Sequence, residues 1–413
     1  MKGTAKEEMG QLKWVWDRET RLAVIRDVVK SEMRTQMLGF VRDLFQDEYQ
    51  RLCGERWSRK EEHQARRGGK EKGSVYVEGR RVKVKYPRVK IGKETRAIDS
   101  YAALRDFDVF SEDIQRVLLR GISTRDYNEV IGEIQKGTKL AHGTVSRAFV
   151  RASQKDLDEI NGRDLSKDCF MVLFFDGIEF AGTHVIVTMG ITLEGRKILL
   201  GLREGATENA EIVKDLIESL KSRGLALTEK FLATIDGAKA LSSAVKQVWG
   251  SRALIQRCQI HKGRNVKKYL PDSYHGELAR RLKVAYGMEK YAEAKRLLLN
   301  TVEWLGQISE QAARSMEEGL EETLTVHRLK LPDLLRKTLA TTNPIESLFD
   351  GVRHRTDRVK RWRTGKGQMA ARWTASALLM GEKKLNKIKG YRLMSLLQEA
   401  LKREDLDTVK EVG

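Results

Sequence analysis

The sequence has few of the features that mark secreted or membrane proteins. Only three cysteines occur in 413 residues, which is too few for a disulfide framework and favours a reducing compartment. No apolar run approaches the ~20 residues that span a bilayer. The N-terminal segment MKGTAKEEMGQLKW lacks the apolar region of a secretory signal. These absences predict a cytoplasmic protein with no membrane partner.

Acidic residues are also in deficit. The chain has 78 Lys and Arg against 58 Asp and Glu, a net charge of +20. Hydrophobic residues make up 40% of the chain. This fraction is enough for packed cores and excludes a wholly disordered chain. The basic excess favours a polyanionic partner, and nucleic acid is the first candidate because no basic amphipathic helix with an aromatic face stands out. The length allows two or three domains.

The N-terminal part predicts a long helix followed by a basic hairpin. Apolar residues recur near the helical period over residues 9–52. Segment 66–96 holds 12 basic and 3 acidic residues. Its apolar and polar residues alternate around Glu78-Gly79, which predicts a β-hairpin with one basic face. Pro87 predicts an edge strand, since proline cannot donate to a strand ladder.

Residues 111–153 have the pattern of three short helices. The last two are joined by a short glycine-containing turn, and the final helix is rich in Ser, Thr and Arg. This arrangement fits a helix-turn-helix that reads DNA. A small helical bundle without DNA contact fits the same pattern.

From about residue 170 the pattern becomes α/β. Three strands follow one another across short turns, which predicts antiparallel neighbours. Helix, strand, helix, strand and helix come next, and this order predicts a mixed sheet in which parallel strands extend the antiparallel ones. Residues 272–335 show no strand pattern and predict an all-helical stretch. Residues 353–372 carry eight basic residues against one acidic residue, which favours contact with phosphate over a merely solvated face.

Two of the predicted strands end in the same way, in LFFDG with Asp176 and in ATIDG with Asp236. A carboxylate at the end of a buried strand needs a partner to stay ionised, and a divalent cation is one such partner. If the first and fourth strands are adjacent and parallel, both carboxylates can bind the same cation. Asp-Gly is also a common turn dipeptide, and that interpretation stays open for each site.

A third carboxylate would complete a site for two cations, and Glu346 in TTNPIESLFDG is the best candidate. Local sequence favours a structural role first. With Asn343 as helix N-cap and Pro344 as the first helical residue, Glu346 falls at the third position of a capping box. Such a cap is worth about 0.5–2 kcal/mol. The capping role and a metal-binding role are compatible.

The motifs LFFDG, ATIDG, QRCQIHKGRN and TTNPIE together resemble those of the mutator-type transposases of bacterial insertion sequences. The resemblance covers roughly residues 80–375, and its most specific parts are the C-x-x-H spacing and the T-N-x-I-E block. RGISTRDYNEVI and GTVSRAF resemble the family's N-terminal DNA-binding region. Ser347 departs from the family pattern, in which a larger and often basic residue follows the glutamate.

The resemblance implies a ribonuclease H-like catalytic domain with an all-helical insertion, preceded by a helical DNA-binding region. It assigns a DDE catalytic triad to Asp176, Asp236 and Glu346, which would bind Mg²⁺ or Mn²⁺. It further implies a bacterial transposase that recognises inverted-repeat transposon ends in double-stranded DNA, then cleaves and transfers strands. Joining two ends requires a homodimer or a larger assembly on DNA.

Cys258 and His261 are neighbours at the point where a predicted strand runs into a helix. Two ligands do not make a zinc site, and no second pair of suitable spacing is present in the sequence. The pair is interpreted as structural or as positioning DNA beside the acidic site. Cys258 alone fits a buried apolar residue, and His261 could hydrogen-bond a scissile phosphate or carry protons as part of the catalytic set.

Six segments follow from these patterns. They are an N-terminal helical region at 1–65, the basic hairpin at 66–105, the helix-turn-helix at 106–160, a first part of the catalytic core at 165–271, a helical insertion at 272–340, and a second part of the core at 341–413. The predicted DNA contacts are Arg80, Arg81, Lys83, Lys85, Arg88, Thr144, Ser146, Arg147, Arg264, Arg353, Arg355, Arg358 and Arg361.

Two other functions fit the same residues. A catalytically silent DNA-binding regulator would keep the basic surfaces, but the presence of all three acids speaks against it. A metal-dependent DNA nuclease would share the carboxylates and lack end-specific binding and strand transfer.

Overall fold

The computed structural model describes residues 18–55, 65–77, 80–105, 111–122, 142–180, 182–205, 210–357, 359, 361–363 and 367–410. The chain forms two compact units. The first comprises Met1–Leu118 and Thr124–Phe149, and the second comprises Leu119–Ser123 and Val150–Gly413. Within the described ranges, no helix combines the length and apolar character needed to cross a bilayer. This division is coarser than the six predicted segments, whose boundaries stay predictions.

The first unit is built on one long helix and a small antiparallel sheet. Its elements are α1 (Arg18–Cys53), β1 (Arg66–Val77), β2 (Arg80–Ile91), β3 (Glu94–Ala97), α2 (Asp99–Arg105) and α3 (Ser111–Leu119). Val41 and Phe45 of α1 pack against Val75 and Val89 of the sheet in one buried cluster. The helix predicted over residues 9–52 is confirmed from Arg18 onward, and the residues before it lie outside the described ranges.

The predicted basic hairpin is confirmed. Strands β1 and β2 pair antiparallel up to Val77 and Arg80, with residues 78 and 79 between them in the sequence. The prediction for Pro87 is wrong, because β2 is the central strand in the order β1-β2-β3. Since β3 is short and pairs only with Arg88 to Ile91, Pro87 lies past its end and needs no N–H on that side. On the other side it sits where the register of β1 shifts between Arg67 and Lys70.

The predicted helix-turn-helix can be followed only in part. Helix α3 covers its first helix and α4 (His142–Gly162) its last. The middle helix and the turn fall in residues 123–141, outside the described residues. The boundary between the two units falls inside α4, between Phe149 and Val150.

A five-stranded mixed sheet organises the second unit. Its elements are β4 (Cys169–Phe180), β5 (Thr183–Thr192), β6 (Lys197–Gly205), α5 (Ala210–Ser222), β7 (Ala226–Ile235), α6 (Lys239–Trp249), β8 (Ala253–Arg257) and α7 (Gln259–Lys267). The strand order is β6-β5-β4-β7-β8. Strands β4, β5 and β6 are antiparallel, whereas β7 and β8 extend β4 in parallel. The α/β fold class and the mixed sheet predicted from the element order are therefore confirmed.

Helices cover both faces of this sheet. Successive residues of a strand point to opposite faces, so Phe174 and Phe175 of β4 enter different cores. Phe175 packs with Leu216 of α5 and Val245 of α6. Phe174 packs on the other side, in the cluster that contains helices α13 (Asn343–Thr356), α14 (Met369–Glu382) and α15 (Met394–Lys410). Strand β4 is thus held from both faces at the centre of the sheet.

The stretch between α7 and α13 is helical, as predicted. It contains α8 (His275–Gly287), α9 (Tyr291–Gly306), α10 (Glu310–Glu317), α11 (Thr325–Arg328) and α12 (Asp333–Leu339). Leu278, Leu298 and Met316 form a separate small core among α8, α9 and α10. The 3₁₀ turn Glu321–Leu324 anchors this bundle on the sheet, because the Gln256 side chain of β8 donates to the Thr323 carbonyl over 2.9 Å.

Candidate active site

Asp176 and Asp236 lie side by side at one edge of the sheet. In the parallel pair β4 and β7, Phe175 is the register partner of Ile235. The next residue after each of these is the aspartate, and neighbouring strands lie about 4.8 Å apart. The condition stated for convergence of the two carboxylates, that the first and fourth strands be adjacent and parallel, is therefore met.

The interpretation of Asp-Gly as a turn is correct for one aspartate and wrong for the other. It is wrong for Asp176, because β4 continues to Phe180 and Gly177 still pairs with Ile186 of β5. Strand β7 does end before Asp236, whose Oδ1 accepts a 2.8 Å hydrogen bond from the Ala238 N–H. Gly237 has φ of 102°, a conformation that favours glycine. The Asp-Gly dipeptide of Asp236 is thus a turn, and that turn fixes the direction of the carboxylate.

Asp176 is almost fully buried, with 3% of its surface exposed. One oxygen, Oδ1, accepts from the Gly177 N–H over 3.0 Å. The other, Oδ2, is buried and finds no hydrogen-bond partner among the described residues. Burial raises the pKa of Asp176 to about 7. The positive charge of His261 opposes this shift, and the negative charge of Asp236 adds to it. Such a carboxylate is short of a partner for its negative charge.

Asp236 is partly exposed at the strand end. Burial raises its pKa, although the Ala238 N–H and the positive charges of His261 and Arg257 oppose the shift. Arg257 is the register partner of Ile235 on β8. Its Nη1 donates to the Gly237 carbonyl over 3.4 Å and its Nε to Glu322 over 2.5 Å. Sequence reasoning did not identify Arg257, for which the sequence offers no signal beyond its position before Cys258.

Glu346 lies in the first turn of α13, with 18% of its side chain exposed. Its Oε1 accepts a 2.8 Å hydrogen bond from Arg264 and lies 3.5 Å from His261 Nε2. The capping-box interpretation is wrong. The helix begins at Asn343 after Thr342, no side chain caps it, and the Glu346 carboxylate is bound to a guanidinium instead. A charge-assisted hydrogen bond of this kind is stronger than a bond to a neutral backbone N–H.

Cys258 and His261 both contact Thr342, the residue before α13. Cys258 is fully buried, and its Sγ accepts from the Thr342 N–H over 3.4 Å and from the Thr342 hydroxyl over 3.6 Å. His261 Nδ1 lies 3.4 Å from the same hydroxyl. The pair therefore ties the end of β8 and the start of α7 to the helix that carries Glu346. Thr342 is a second residue that sequence reasoning missed.

The protonation of this pair is coupled to the carboxylates. Burial alone would lower the pKa of His261. The hydrogen bond and negative charge of Cys258, followed by the charges of Asp176 and Asp236, outweigh burial and raise this pKa to about 9. Burial raises the pKa of Cys258, and its interactions with His261 outweigh that effect and lower it. The site thus contains several negatively charged groups, and the positively charged imidazole of His261 partly neutralises them.

Three side chains form a cluster that could hold a metal ion. Asp176, His261 and Glu346 each offer one donor atom, and these atoms all lie within 4.8 Å of one another. Asp236 is not a member of this set, although it neighbours Asp176 across the sheet. Two carboxylates with an imidazole suit a divalent cation, and the unpartnered Oδ2 of Asp176 supplies a buried anionic ligand atom. The residues therefore fit such an ion.

Two of the predicted DNA contacts of the hairpin, Lys83 and Lys85, lie on one exposed face of it. Lys83 and Lys85 are exposed on β2, and Lys85 is the register partner of the exposed Lys72 on β1. Like charges placed opposite each other destabilise a strand pair, so this face favours an anionic partner. Arg88 is half-buried and lies 3.3 Å from Glu71. The side chains of four predicted contacts lie outside the described ones: Arg80, Arg81, Thr144 and Arg358.

The remaining predicted contacts differ in how available they are. Ser146 and Arg147 are exposed on α4. Arg361 is exposed after α13, and Arg353 is exposed but pairs with Asp350 over 2.9 Å. The other two are engaged in the chain itself: Arg355 donates to the Gly351 carbonyl over 2.6 Å, and Arg264 binds Glu346 over 2.8 Å.

Comparison with known proteins decides the family. The family model described as "Transposase, Mutator family" matches residues 5–371. The chain belongs to the Mutator family of transposases. The matched range includes Asp176, Asp236 and Glu346 and ends before α15. Membership of a transposase family implies an activity that cuts and transfers DNA.

Individual relatives of the chain are transposases of insertion sequences. The chain is 30% identical over 268 residues to the transposase for insertion sequence element IS6120 of Mycolicibacterium smegmatis, which is 63% of this chain and 80% of that protein. It is 27% identical over 286 residues to the transposase for IS905 of Lactococcus lactis, 67% of this chain and 70% of that protein. The transposase for IS256 in transposon Tn4001 of Staphylococcus aureus is 24% identical over 351 residues, 80% of this chain and 85% of that protein.

Proposed function

We propose that this Mutator-family chain is a metal-dependent DDE transposase. It binds inverted-repeat transposon ends, cleaves the phosphodiester backbone there and joins the ends to target DNA. The observation that carries this proposal is the meeting of three distant carboxylates: Asp176 and Asp236 on neighbouring parallel strands, and Glu346 in a cluster with Asp176. The basic surfaces supply the means of holding a polyanion.

The fold proposed for the catalytic unit is ribonuclease H-like. Three antiparallel strands followed by two parallel ones, in the order β6-β5-β4-β7-β8, support this assignment. So does the covering of both faces by helices. The helical stretch from α8 to α12 separates the second aspartate from Glu346 in the sequence, as an insertion between these catalytic residues would.

The carboxylates would hold two Mg²⁺ or Mn²⁺ ions, one between Asp176 and Asp236 and one between Asp176 and Glu346. Ions held there would lower the pKa of a water or a 3′-hydroxyl and neutralise charge on the leaving oxygen. Asp176, the most buried of the three, would be a ligand of both ions. The β4 and β7 backbones keep the aspartates at a fixed separation, and α13 holds Glu346 beside them.

The reaction proceeds in two displacements without a covalent protein intermediate. In the first, the oxygen of water attacks the phosphorus of the scissile phosphodiester, the bond to the 3′-oxygen breaks, and a 3′-hydroxyl is left. In the second, that hydroxyl attacks a phosphodiester of target DNA, so one P–O bond forms as another breaks. The protein orients the attacking oxygen and the leaving oxygen in line.

The basic hairpin face, the helix-turn-helix and the segment after α13 would contact DNA phosphates. Lys83, Lys85, Arg147 and Arg361 are exposed for this role. Two transposon ends must be held together for joining, so we expect at least a dimer on DNA.

The test uses a labelled duplex that carries the inverted repeat flanking the coding region, incubated with a target plasmid and Mg²⁺. We expect nicking and joining by the wild-type chain, and a loss of roughly 10⁴-fold in rate with Asp236→Asn while end binding is retained. Asp215→Asn is the matched control, since Asp215 is an exposed aspartate of α5 that pairs with Arg203.

The alternatives give different products in the same assay. Nicking without joining would indicate a nuclease, and binding without nicking would indicate a DNA-binding regulator. Nicking by Asp236→Asn at the wild-type rate would refute the assignment of Asp236.

A further inference from the structure

We propose that the imidazole of His261 is a nitrogen ligand of the cation that binds between Asp176 and Glu346. The proposal rests on the proposed function, which assigns that cation to carboxylates alone. It adds a nitrogen ligand to a site that would otherwise have only oxygen ligands from the protein. A nitrogen donor of this kind favours Mn²⁺ over Mg²⁺ more strongly than oxygen donors do.

The donor geometry supports this ligand set. The donor atoms of Asp176, His261 and Glu346 all lie within 4.8 Å of one another, and His261 Nε2 is 3.5 Å from Glu346 Oε1. Ligands about 2.1 Å from an octahedral ion lie roughly 3.0 Å apart when adjacent and roughly 4.2 Å apart when opposite. The cluster therefore needs only small side-chain movements to close on an ion.

A second observation points to a ligand at this place. Asp176 is 3% exposed, and its Oδ2 is buried without a hydrogen-bond partner in the described part of the chain. Leaving a buried carboxylate oxygen unpaired is costly. An ion in the cluster would give this oxygen a partner that the described residues do not supply.

The hydrogen bonds around His261 present the correct nitrogen to the cluster. The Thr342 hydroxyl donates to Cys258 Sγ over 3.6 Å. Because a hydroxyl has one proton, the same oxygen accepts at its 3.4 Å contact with His261 Nδ1. With Nδ1 donating to the Thr342 oxygen, a cation bound at Nε2, which lies 3.5 Å from Glu346 Oε1, would take the place of a proton on that nitrogen. Such outer hydrogen bonds are the usual way in which a protein orients a histidine ligand.

A cationic group of the protein lies beside the same ligand atoms. Arg264 Nη1 donates to Glu346 Oε1 over 2.8 Å and lies 3.3 Å from His261 Nε2. The Arg264 side chain is 57% exposed and can turn outward, toward solvent or a DNA phosphate. The cluster thus attracts positive charge, and the Arg264 guanidinium that lies beside it can move away.

The test measures Mn²⁺ bound to the full-length chain by pulsed electron paramagnetic resonance, which detects nitrogen within bonding distance of the ion. We expect an imidazole nitrogen coupling in the wild-type chain and its loss in His261→Gln, with Mn²⁺ affinity lowered about tenfold or more. His354→Gln is the control, because His354 is an exposed histidine on α13 outside the cluster. Circular dichroism verifies that each variant is folded.

Two results would overturn the inference and leave the proposed function intact. One is Mn²⁺ that binds in an Asp176-dependent manner without any nitrogen coupling, which would make His261 a hydrogen-bond or charge partner of Glu346. The other is a coupling that persists in His261→Gln. If Asp176→Asn leaves Mn²⁺ binding unchanged, or if no Mn²⁺ binds, the metal assignment of the proposed function fails together with the inference.

Discussion

At the scale of single residues, the site is defined by charge that the protein only partly neutralises. Asp176 is buried with one unpaired oxygen, Asp236 borders it, and Glu346 is neutralised by Arg264. A fold that keeps such a group gives up stability for function. Among the described residues, Asp176 combines an orphaned carboxylate oxygen with membership of a metal-binding cluster.

The pKa of Asp176 makes a prediction about stability and pH. Its folded value of about 7 exceeds the ordinary value near 3.9 of an unfolded chain. The folded state therefore binds more protons between these values, and the contribution of Asp176 to the free energy of unfolding is greatest at low pH and is lost as pH rises through about 7. Without metal, the wild-type free energy of unfolding should fall relative to Asp176→Asn by up to about 1.4 kcal/mol per pH unit in this window.

The measurement is denaturant unfolding of both proteins in a metal chelator between pH 5 and 8. Parallel pH profiles for wild type and Asp176→Asn would contradict the assigned pKa shift. In the presence of excess Mg²⁺, the wild-type loss at high pH should diminish, because the cation stabilises the ionised carboxylate.

At the scale of elements, the joint between β8 and α7 holds the site together. Cys258 and His261 contact Thr342, which directly precedes α13 and so sets the position of Glu346. Arg257, at the end of β8, connects the Asp236 turn to Glu322 of the helical stretch. Two carboxylates separated by more than a hundred residues are thus positioned from one short segment.

The role of this joint can be tested by replacing Cys258. Replacing it with alanine leaves the Thr342 N–H and hydroxyl without their acceptor, which should cost about 1–3 kcal/mol of stability and displace α13. We expect Cys258→Ala to lower the cleavage rate on a transposon-end duplex at least tenfold and Cys258→Ser, which keeps an acceptor, to restore part of it. Cys53→Ala is the matched control, because Cys53 is also buried but belongs to the first unit. Wild-type cleavage by Cys258→Ala would show that the joint does not position Glu346.

The sequence predicts some of these elements and not others, for physical reasons. Asp176 and Asp236 can be found because each follows an apolar run, and the order of strands and helices allows few sheet topologies. The partner of Glu346 cannot be found in this way. Arg264 lies 82 positions away, and local sequence around Asn343 and Pro344 favours a cap that the fold does not use. Contacts of this kind depend on how α7 and α13 pack, which no local pattern encodes.

At the scale of the whole molecule, a polypeptide with a net charge of +20 brings two acidic side chains, Asp176 and Asp236, together on neighbouring strands of one sheet. The basic hairpin belongs to the first unit and the carboxylates to the second. Under the proposed function, the basic residues of the first unit would contact DNA phosphates and the carboxylates of the second would act on the backbone.

The most direct measurement of the central claim replaces Mg²⁺ with Fe²⁺ and generates hydroxyl radicals at the bound ion, so that the backbone is cut where it surrounds the metal. If the three carboxylates surround the bound ions, the full-length chain should be cut near residues 176, 236 and 346, and excess Mg²⁺ should suppress all three cuts together. Cuts near only one of these positions, or scattered cuts that Mg²⁺ does not affect, would contradict the account.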